Sequence, residues 1–291
     1  MAERKRFHMN KSARQILKQK LVAGGCLAAP GVYDGLSARI ADPMNFDVLY
    51  LSGYGVSASL LAKPDAGFLT AENMVMRLTS LCEFLQTPLI ADADTGFGGI
   101  AETQATVRAY EKAGAAGIQL EDQKFPKKCG HTPGREVVPR PAAVEKIAAA
   151  VAARSDPDFL IVARTDARTP EGLDEAIARG RAFADAGADV IFIESPETEE
   201  EFAAIGAALS DCCLIANMVD GGRSPSLSQQ RLAELGFNLV IYPVAAMAAA
   251  SAALQQAYQQ IGALTGDHQR VSFDELNKIV GFEEIWQAQK K

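Results

Sequence analysis

Leu89-Ile90-Ala91-Asp92-Ala93-Asp94-Thr95-Gly96-Phe97-Gly98-Gly99 begins as a short apolar run and ends abruptly in acidic and turn-forming residues. An apolar run without polar alternation suits a strand buried on both faces, as in a parallel sheet. Asp92 and Asp94 stand two apart at its end, so in a strand both carboxylates face the same way. Two hard oxygen ligands that leave room for waters and substrate oxygens suit Mg²⁺. For an isolated D-x-D a solvated turn is the plain alternative.

The same pattern recurs along the chain. Apolar runs at 26–29, 48–51, 117–120, 159–163, 190–193, 214–216 and 239–241 each end in polar or turn residues. Their ends carry, in turn, Pro30-Gly31, Ser52-Gly53-Tyr54-Gly55, Glu121-Asp122, Arg164-Thr165-Asp166, Glu194-Ser195, Asn217 and Tyr242-Pro243. Amphipathic stretches at 101–113, 142–153, 173–186, 198–209 and 228–235 fall between them, after an entry helix at 12–23 with Ile16, Leu17 and Leu21 at helical spacing. Gly114, Gly187 and Gly236 stand where helix C-caps need a left-handed residue. Eight strand–helix units in 291 residues predict an α/β chain folded as a (β/α)8 TIM-type barrel. A doubly wound open sheet fits less well, because no G-x-G-x-x-G follows the first run. A barrel would bring the eight polar ends to one mouth.

The reading is of one domain, 1–291, with 263–291 as a C-terminal helical extension. A long Ala-rich helix is expected at 245–262, a polar hinge at 267–270 and short helices at 272–278 and 282–289. Phe273, Leu276, Ile279, Phe282, Ile285 and Trp286 arrive after the barrel is complete, so they cover either their own barrel or a neighbouring subunit.

The net charge of −7, with Lys and Arg dispersed, argues against nucleic acid and anionic membranes but not against a small anionic substrate. Five cysteines without C-x-x-C speak for a reducing compartment rather than disulfides or zinc. No secretory h-region or membrane-spanning run is visible, so a cytoplasmic location is expected.

Lys127-Lys128-Cys129-Gly130-His131 places a thiol among cations, which favours its thiolate. Such a thiol can exchange protons near neutrality or attack an electrophile, and His131 could orient or deprotonate it. A solvated basic loop holding a spare cysteine is the alternative. Arg164, at the end of an apolar strand, suits a bidentate grip on a carboxylate or a structural pair with Glu194 or Asp166. Ser52, Gly53 and Tyr54 offer hydroxyl and N–H donors to a second carboxylate, as Asn217 and Ser224 could, though each is also an ordinary turn residue. Asp65 and Glu121 could add oxygens behind a metal. So many carboxylates at one mouth, Glu121, Asp122 and Glu194 included, require neutralising cations: Arg164, Lys127, Lys128 and a metal.

Taken together these motifs resemble the isocitrate lyase/phosphoenolpyruvate mutase superfamily over about residues 29–286, and K-[KR]-C-G-H resembles its lyase branch. Residues 193–197 and 216–222 resemble the dimethylmalate-cleaving members, and Tyr54 stands where methylisocitrate-cleaving members are expected to carry Gly. The resemblance implies Mg²⁺-dependent (or Mn²⁺-dependent) retro-aldol or retro-Claisen cleavage of a substituted malate, such as 2,3-dimethylmalate or 2-methylisocitrate, to a 2-oxo acid and a carboxylate. Asp92 and Asp94 would hold the metal, with Asp65 and Glu121 behind them. Ser52, Gly53 and Tyr54 would grip the 2-hydroxy-carboxylate end, and Arg164 would neutralise the developing alkoxide. Cys129 would protonate the departing carbanion, tuned by His131 and Glu121, on a lid at 123–135 that includes Gly130. Glu194, Asn217 and Ser224 would meet the second carboxylate or the lid. Tyr54, Phe97, Phe125, Met218 and Pro243 would read the substituents. The resemblance also implies a homo-oligomer, a dimer of dimers that swaps its last helices. An oxaloacetate hydrolase would place a serine near the eighth strand end, where Tyr242-Pro243-Val244-Ala245 stands. A phosphonomutase would not need the Cys129 loop. A catalytically silent barrel used for binding would not need Asp92, Asp94, Arg164 and Cys129 intact.

Overall fold

The apolar runs become eight parallel strands: β1 (Leu27–Val32), β2 (Leu49–Leu51), β3 (Leu89–Asp92), β4 (Gly117–Glu121), β5 (Leu160–Thr165), β6 (Val190–Ile193), β7 (Leu214–Asn217) and β8 (Leu239–Tyr242). Each pairs with the next and β1 pairs with β8, so the sheet closes into a barrel. The structure is a computed structural model and describes residues 11–130, 132, 134–261 and 270–289.

One boundary differs from expectation. The first run was expected to stop at Ala29, yet β1 continues through Pro30 and Gly31 to Val32. Pro30 pairs with Tyr242 at the closing seam. A Cβ on Gly31 would lie 2.3 Å from the Pro243 carbonyl oxygen. Gly31 therefore serves a close backbone approach inside a strand rather than a turn.

Side-chain alternation then builds the mouth. Tyr50, Ile90, Val162, Phe192, Ile215 and Ile241 point inward and pack as one buried layer. Leu17 and Leu21 of the helix Lys11–Val22 join that cluster and plug the floor, while Ile16 faces outward and is half exposed. Two residues further along each strand come Ser52, Asp92, Arg164, Glu194, Asn217 and Pro243, which share the inward direction. Outward-facing strand residues pack against the helices.

The helices Ile100–Ala113, Arg140–Ala153, Leu173–Asp185, Glu199–Ala208 and Gln229–Glu234 lie where the periodicity places them. Gly114, Gly187 and Gly236 take φ of 106°, 96° and 91°. Gly35–Ala41 and Ala71–Cys82 were not anticipated. Both open with capping boxes, Asp34 with Ser37 and Thr70 with Asn73. These boxes lack the Glu or Gln that marks the motif in a sequence.

The C-terminal helices Ala245–Ile261, Phe273–Ile279 and Phe282–Gln289 contain no buried residue. Phe273 is 76% exposed, and Ile285 and Trp286 are about half exposed. Arg39 reaches Glu284 at 3.5 Å, a slight tether to the chain's own barrel. The expected hinge at 267–270 lies almost wholly outside the described residues, as does the boundary at 263. No cysteine forms a disulfide, and no described helix is long and apolar enough to cross a membrane.

Candidate active site

The strand ends and the loop after β4 enclose a cavity of about 530 Å³. Ser52, Asp92, Cys129, Arg164, Glu194 and Asn217 line it. A larger cavity of about 1070 Å³ lies alongside, against the helices Ala71–Cys82 and Ile100–Ala113. Its lining contains none of these six residues, so the chemistry belongs to the smaller cavity.

The carboxylate side is assembled from β3, β4 and the β2 turn. The Tyr110 hydroxyl donates to the Asp92 carbonyl at 2.8 Å and fixes the strand end. Asp92 Oδ1 accepts from the Asp94 amide at 3.1 Å and from Gln119 Nε2 at 3.4 Å. Asp94 adopts φ 48°, a left-handed geometry that aspartate tolerates better than most residues. A Cβ on Gly53 would lie 2.6 Å from Asp92 Oδ2, so only glycine lets the β2 turn pass this carboxylate. Lys127 pairs with Asp94 at 2.6 Å and with Asp65.

Burial sets the protonation of this cluster. It pushes Asp92 upward and Asp94 up to about 7, and Lys127 limits both rises. It pushes the Glu121 carboxyl well above the usual range, against the pull of Arg164. Burial works to lower Lys127, but Asp94 and Glu121 overcome it and hold the ammonium well above its ordinary value.

The donor set fits Mg²⁺. Among the described residues no group of three His, Cys, Asp or Glu side chains converges as a cage. Mg²⁺ needs no such cage, because it keeps several waters and takes one or two carboxylates plus substrate oxygens. Buried Glu121 Oε1 and Gln119 Oε1 find no hydrogen-bond partner among the described residues, leaving two acceptors for such waters.

The cationic side centres on Arg164. Its Nε and Nη2 donate to Asp166 Oδ2 and Oδ1, both at 2.9 Å. The guanidinium lies 5.3 Å from the Phe192 ring. Nη1 sits 3.5 Å from Glu121 and 3.6 Å from Glu194, too far for tight bonds. Of the partners offered by the sequence, Asp166 takes the bidentate pair. Asn217 Nδ2 donates to Glu194 Oε2 at 3.2 Å. The Ser195 hydroxyl lies 2.9 Å from both Glu194 Oε1 and the Gly130 carbonyl.

Gly130 presses the Cys129 loop onto this platform. A Cβ there would lie 2.6 Å from Arg164 Nη2 and 2.7 Å from the Glu194 carboxyl carbon. Gly130→Ala is expected to lift the loop by a fraction of an ångström, lowering kcat/KM by about 100-fold with little change in Tm. Steady-state kinetics beside a melting curve checks this; equal kinetics would mean that the loop need not seat.

Several expectations change. His131 lies outside the described residues, as do His8 and His268. Lys127 ties the loop to Asp65 and Asp94, while Lys128 Nζ donates within the loop, to the Gly134 carbonyl at 2.7 Å. Lys128 therefore does not neutralise the mouth; buried Arg135 and Arg179 pair with Asp166 and Asp122 instead. Tyr54 and Pro243 line the cavity, but Phe97 and Phe125 line its larger neighbour. Met218 is buried in the outer core. Ser224 does not line the cavity, and its buried hydroxyl finds no hydrogen-bond partner. Tyr50 and Gln119 were missed, although each stands two residues before a chosen one, Ser52 and Glu121. Met247 and Ala248 were missed because their segment reads simply as a long Ala-rich helix. Burial pushes the thiols of Cys26, Cys82 and Cys213 up to about 12, and none of them lines the mouth.

Comparison with known proteins adds to this geometry. A family model described as phosphoenolpyruvate phosphomutase matches residues 17–262. The 2,3-dimethylmalate lyase of Eubacterium barkeri is 47% identical over 284 residues, covering 95% of this chain and 96% of the relative. The chloroplastic carboxyvinyl-carboxyphosphonate phosphorylmutase of Arabidopsis thaliana is 40% identical over 275 residues, covering 92% and 81%. A probable 2-methylisocitrate lyase of Corynebacterium glutamicum is 42% identical over 248 residues, covering 85% and 81%. Among solved structures, a 2,3-dimethylmalate lyase superposes with a TM-score of 0.90 at 36% identity, covering 95% of this chain and 94% of that one. An oxaloacetate acetylhydrolase bound to 3,3-difluorooxalacetate gives 0.91 at 35% identity, covering 96% and 97%. A phosphonopyruvate hydrolase in complex with oxalate and Mg²⁺ gives 0.86 at 32% identity, covering 96% and 98%.

Proposed function

This chain belongs to the phosphoenolpyruvate mutase/isocitrate lyase superfamily, and on that footing we propose that it is a Mg²⁺-dependent carbon–carbon lyase of alkyl-substituted malates, of which 2,3-dimethylmalate is the type. The observation that carries this reading is the cavity itself. It brings Cys129 and Gly130 together with Asp92 and Arg164, and lines the same space with the apolar residues Ala58, Val219, Pro243, Val244, Met247 and Ala248.

Bound between Asp92 and Asp94, with Asp65 and Glu121 behind, Mg²⁺ (or Mn²⁺) would supply Lewis-acid polarisation of the 2-hydroxy-carboxylate end. Ser52 caps the short helix Gly53–Val56, whose first N–H groups have no intrahelical acceptor and can meet a carboxylate. Arg164, locked in orientation by Asp166, turns Nη1 toward the oxygen on which charge develops. The 2-hydroxyl gives its proton to a carboxylate of the acidic cluster and C2 becomes the oxo carbon. The electron pair of the breaking C2–C3 bond passes to C3, and Cys129 delivers the proton that makes it a carboxylic acid's α-carbon. Asn217 serves the second carboxylate, and Glu194, through Ser195, the seat of the loop.

The apolar wall narrows the substrate. Arg164 is the one cation among the described residues lining the cavity. A dicarboxylate has its two ends gripped and an alkyl group for the wall. A third carboxylate, as in 2-methylisocitrate or isocitrate, would be buried against Pro243, Val244 and Met247 without a partner. Turnover of (2R,3S)-2,3-dimethylmalate is expected to exceed that of either tricarboxylate by about 100-fold or more in kcat/KM. A preference for a tricarboxylate would overturn the dimethylmalate reading.

Oxaloacetate hydrolysis is the second reading, because the acetylhydrolase superposes equally well. Against it, Pro243 stands at the β8 end, and Ser251 donates its hydroxyl to the Met247 carbonyl at 2.8 Å. The exposed apolar face of the C-terminal helices supports assembly into a dimer of dimers through those helices. Sedimentation should then give about 124 kDa, four times 31.0 kDa; a monomer would refute it.

A further inference from the structure

We infer that Arg135 is a positioning residue for Cys129, fastening the loop to Asp166, the same carboxylate that aims Arg164. The inference rests on the reading of Cys129 as the proton donor. Its first test needs no turnover.

The loop leaves β4 and returns to helix Arg140–Ala153 as a flap. Its base is closed by the Gln123–Val137 bridge, by Lys124 N–H to the Glu136 carbonyl at 2.9 Å and by Val138 N–H to the Asp122 carbonyl at 2.9 Å. Gln123 braces the near limb, accepting from Lys128 N–H at 3.0 Å and donating to the Lys128 carbonyl at 2.8 Å. A flap closed at its base can still swing. What holds it to the barrel is therefore decided by contacts beyond that pairing. Among the described residues these include Lys127 to Asp65 and Asp94, Ser195 Oγ beside the Gly130 carbonyl, and Arg135.

Arg135 makes the most deeply buried of these contacts. Its side chain and that of Asp166 are both 0% exposed. Nη1 donates to Asp166 Oδ1 at 2.7 Å and Nη2 to the Thr169 hydroxyl. Asp166 Oδ1 also accepts from Arg164 Nη2, so one oxygen ties the loop and the catalytic guanidinium together. Asp166 is itself fixed, its amide donating to Asp122 Oδ1 at 2.9 Å while Asp122 pairs with Arg179 at 3.0 Å. Seating the loop and completing the environment of Arg164 are thus one event. A side chain that merely stabilised the fold would have no reason to join the segment carrying the acid to the carboxylate that orients the cation.

The test compares wild type with Arg135→Gln, Arg135→Lys and Thr169→Val as purified ligand-free proteins. Amide exchange in segment 123–138 should quicken about tenfold or more in Arg135→Gln, with helix Arg140–Ala153 unchanged. Alkylation of Cys129 by iodoacetamide, followed by peptide mass, should change in rate by a similar factor. With a cleaved substrate, kcat should fall about tenfold or more while KM moves little, and Arg135→Lys should recover much of the loss. If Arg135→Gln does not fold, Thr169→Val removes one of the two anchors without touching charge and should show the same changes at smaller size. Wild-type exchange and alkylation in both variants would overturn the fastening, whether or not the enzyme cleaves malates. Loosened exchange with wild-type alkylation and unchanged kcat would overturn the positioning of Cys129.

Discussion

Cys129→Ser should lower kcat for C–C cleavage by about 10³-fold, the scale of a lost general acid, while leaving Mg²⁺-dependent oxalate binding within about threefold. A serine hydroxyl fills nearly the same space but holds its proton far too tightly to pass it to a carbanion. The loop should stay seated, because Lys127, Gly130 and Arg135 still anchor it. Rapid-quench or steady-state kinetics beside oxalate titration separates the two effects. Full cleavage by the variant would remove the thiol from the chemistry. Loss of oxalate binding would make it a structural group.

Asp92→Asn should cost about as much by a different route. The amide keeps an oxygen for the Asp94 N–H but loses the charge that holds Mg²⁺, and kcat/KM should drop by about 10³-fold. Stability should move the other way. Burial raises the Asp92 carboxyl, so in the metal-free fold its ionised form is a cost, and removing that charge should leave Tm equal or higher. Wild type should gain about 2.7 kcal/mol when Mg²⁺ is present at 100 times its Kd, and the variant should gain almost none. Melting curves with and without Mg²⁺ decide this. An unchanged Mg²⁺ shift in Asp92→Asn would move the metal elsewhere.

The barrel was legible because eight apolar runs of strand length, each ending in polar residues and separated by amphipathic helices, fit little besides a closed parallel sheet. The inward pointing of Asp92 and Arg164 followed from their place at strand ends. Arg135 was not legible, since a lone arginine in a loop looks like a solvated charge until the chain brings Asp166 beneath it. Phe97 was misplaced for a related reason: the turn at 95–98 bends through positive φ at Gly96, Phe97 and Gly98. That bend turns its ring into the larger cavity. Met247 and Ala248 reach the mouth because the helix Ala245–Ile261 starts directly over the barrel end, a matter of helix direction that periodicity does not encode. The sequence left open whether the C-terminal apolar residues cover their own barrel or a neighbouring subunit, and in a single chain Phe273, Leu276, Phe282, Ile285 and Trp286 stay exposed.

The most direct test is proton NMR of purified protein with Mg²⁺ and (2R,3S)-2,3-dimethylmalate, with oxaloacetate in a parallel tube. The account predicts pyruvate and propionate in equal amounts from the first, abolished by a chelator and by Cys129→Ser. Acetate from the second tube, with the dimethylmalate untouched, would contradict it.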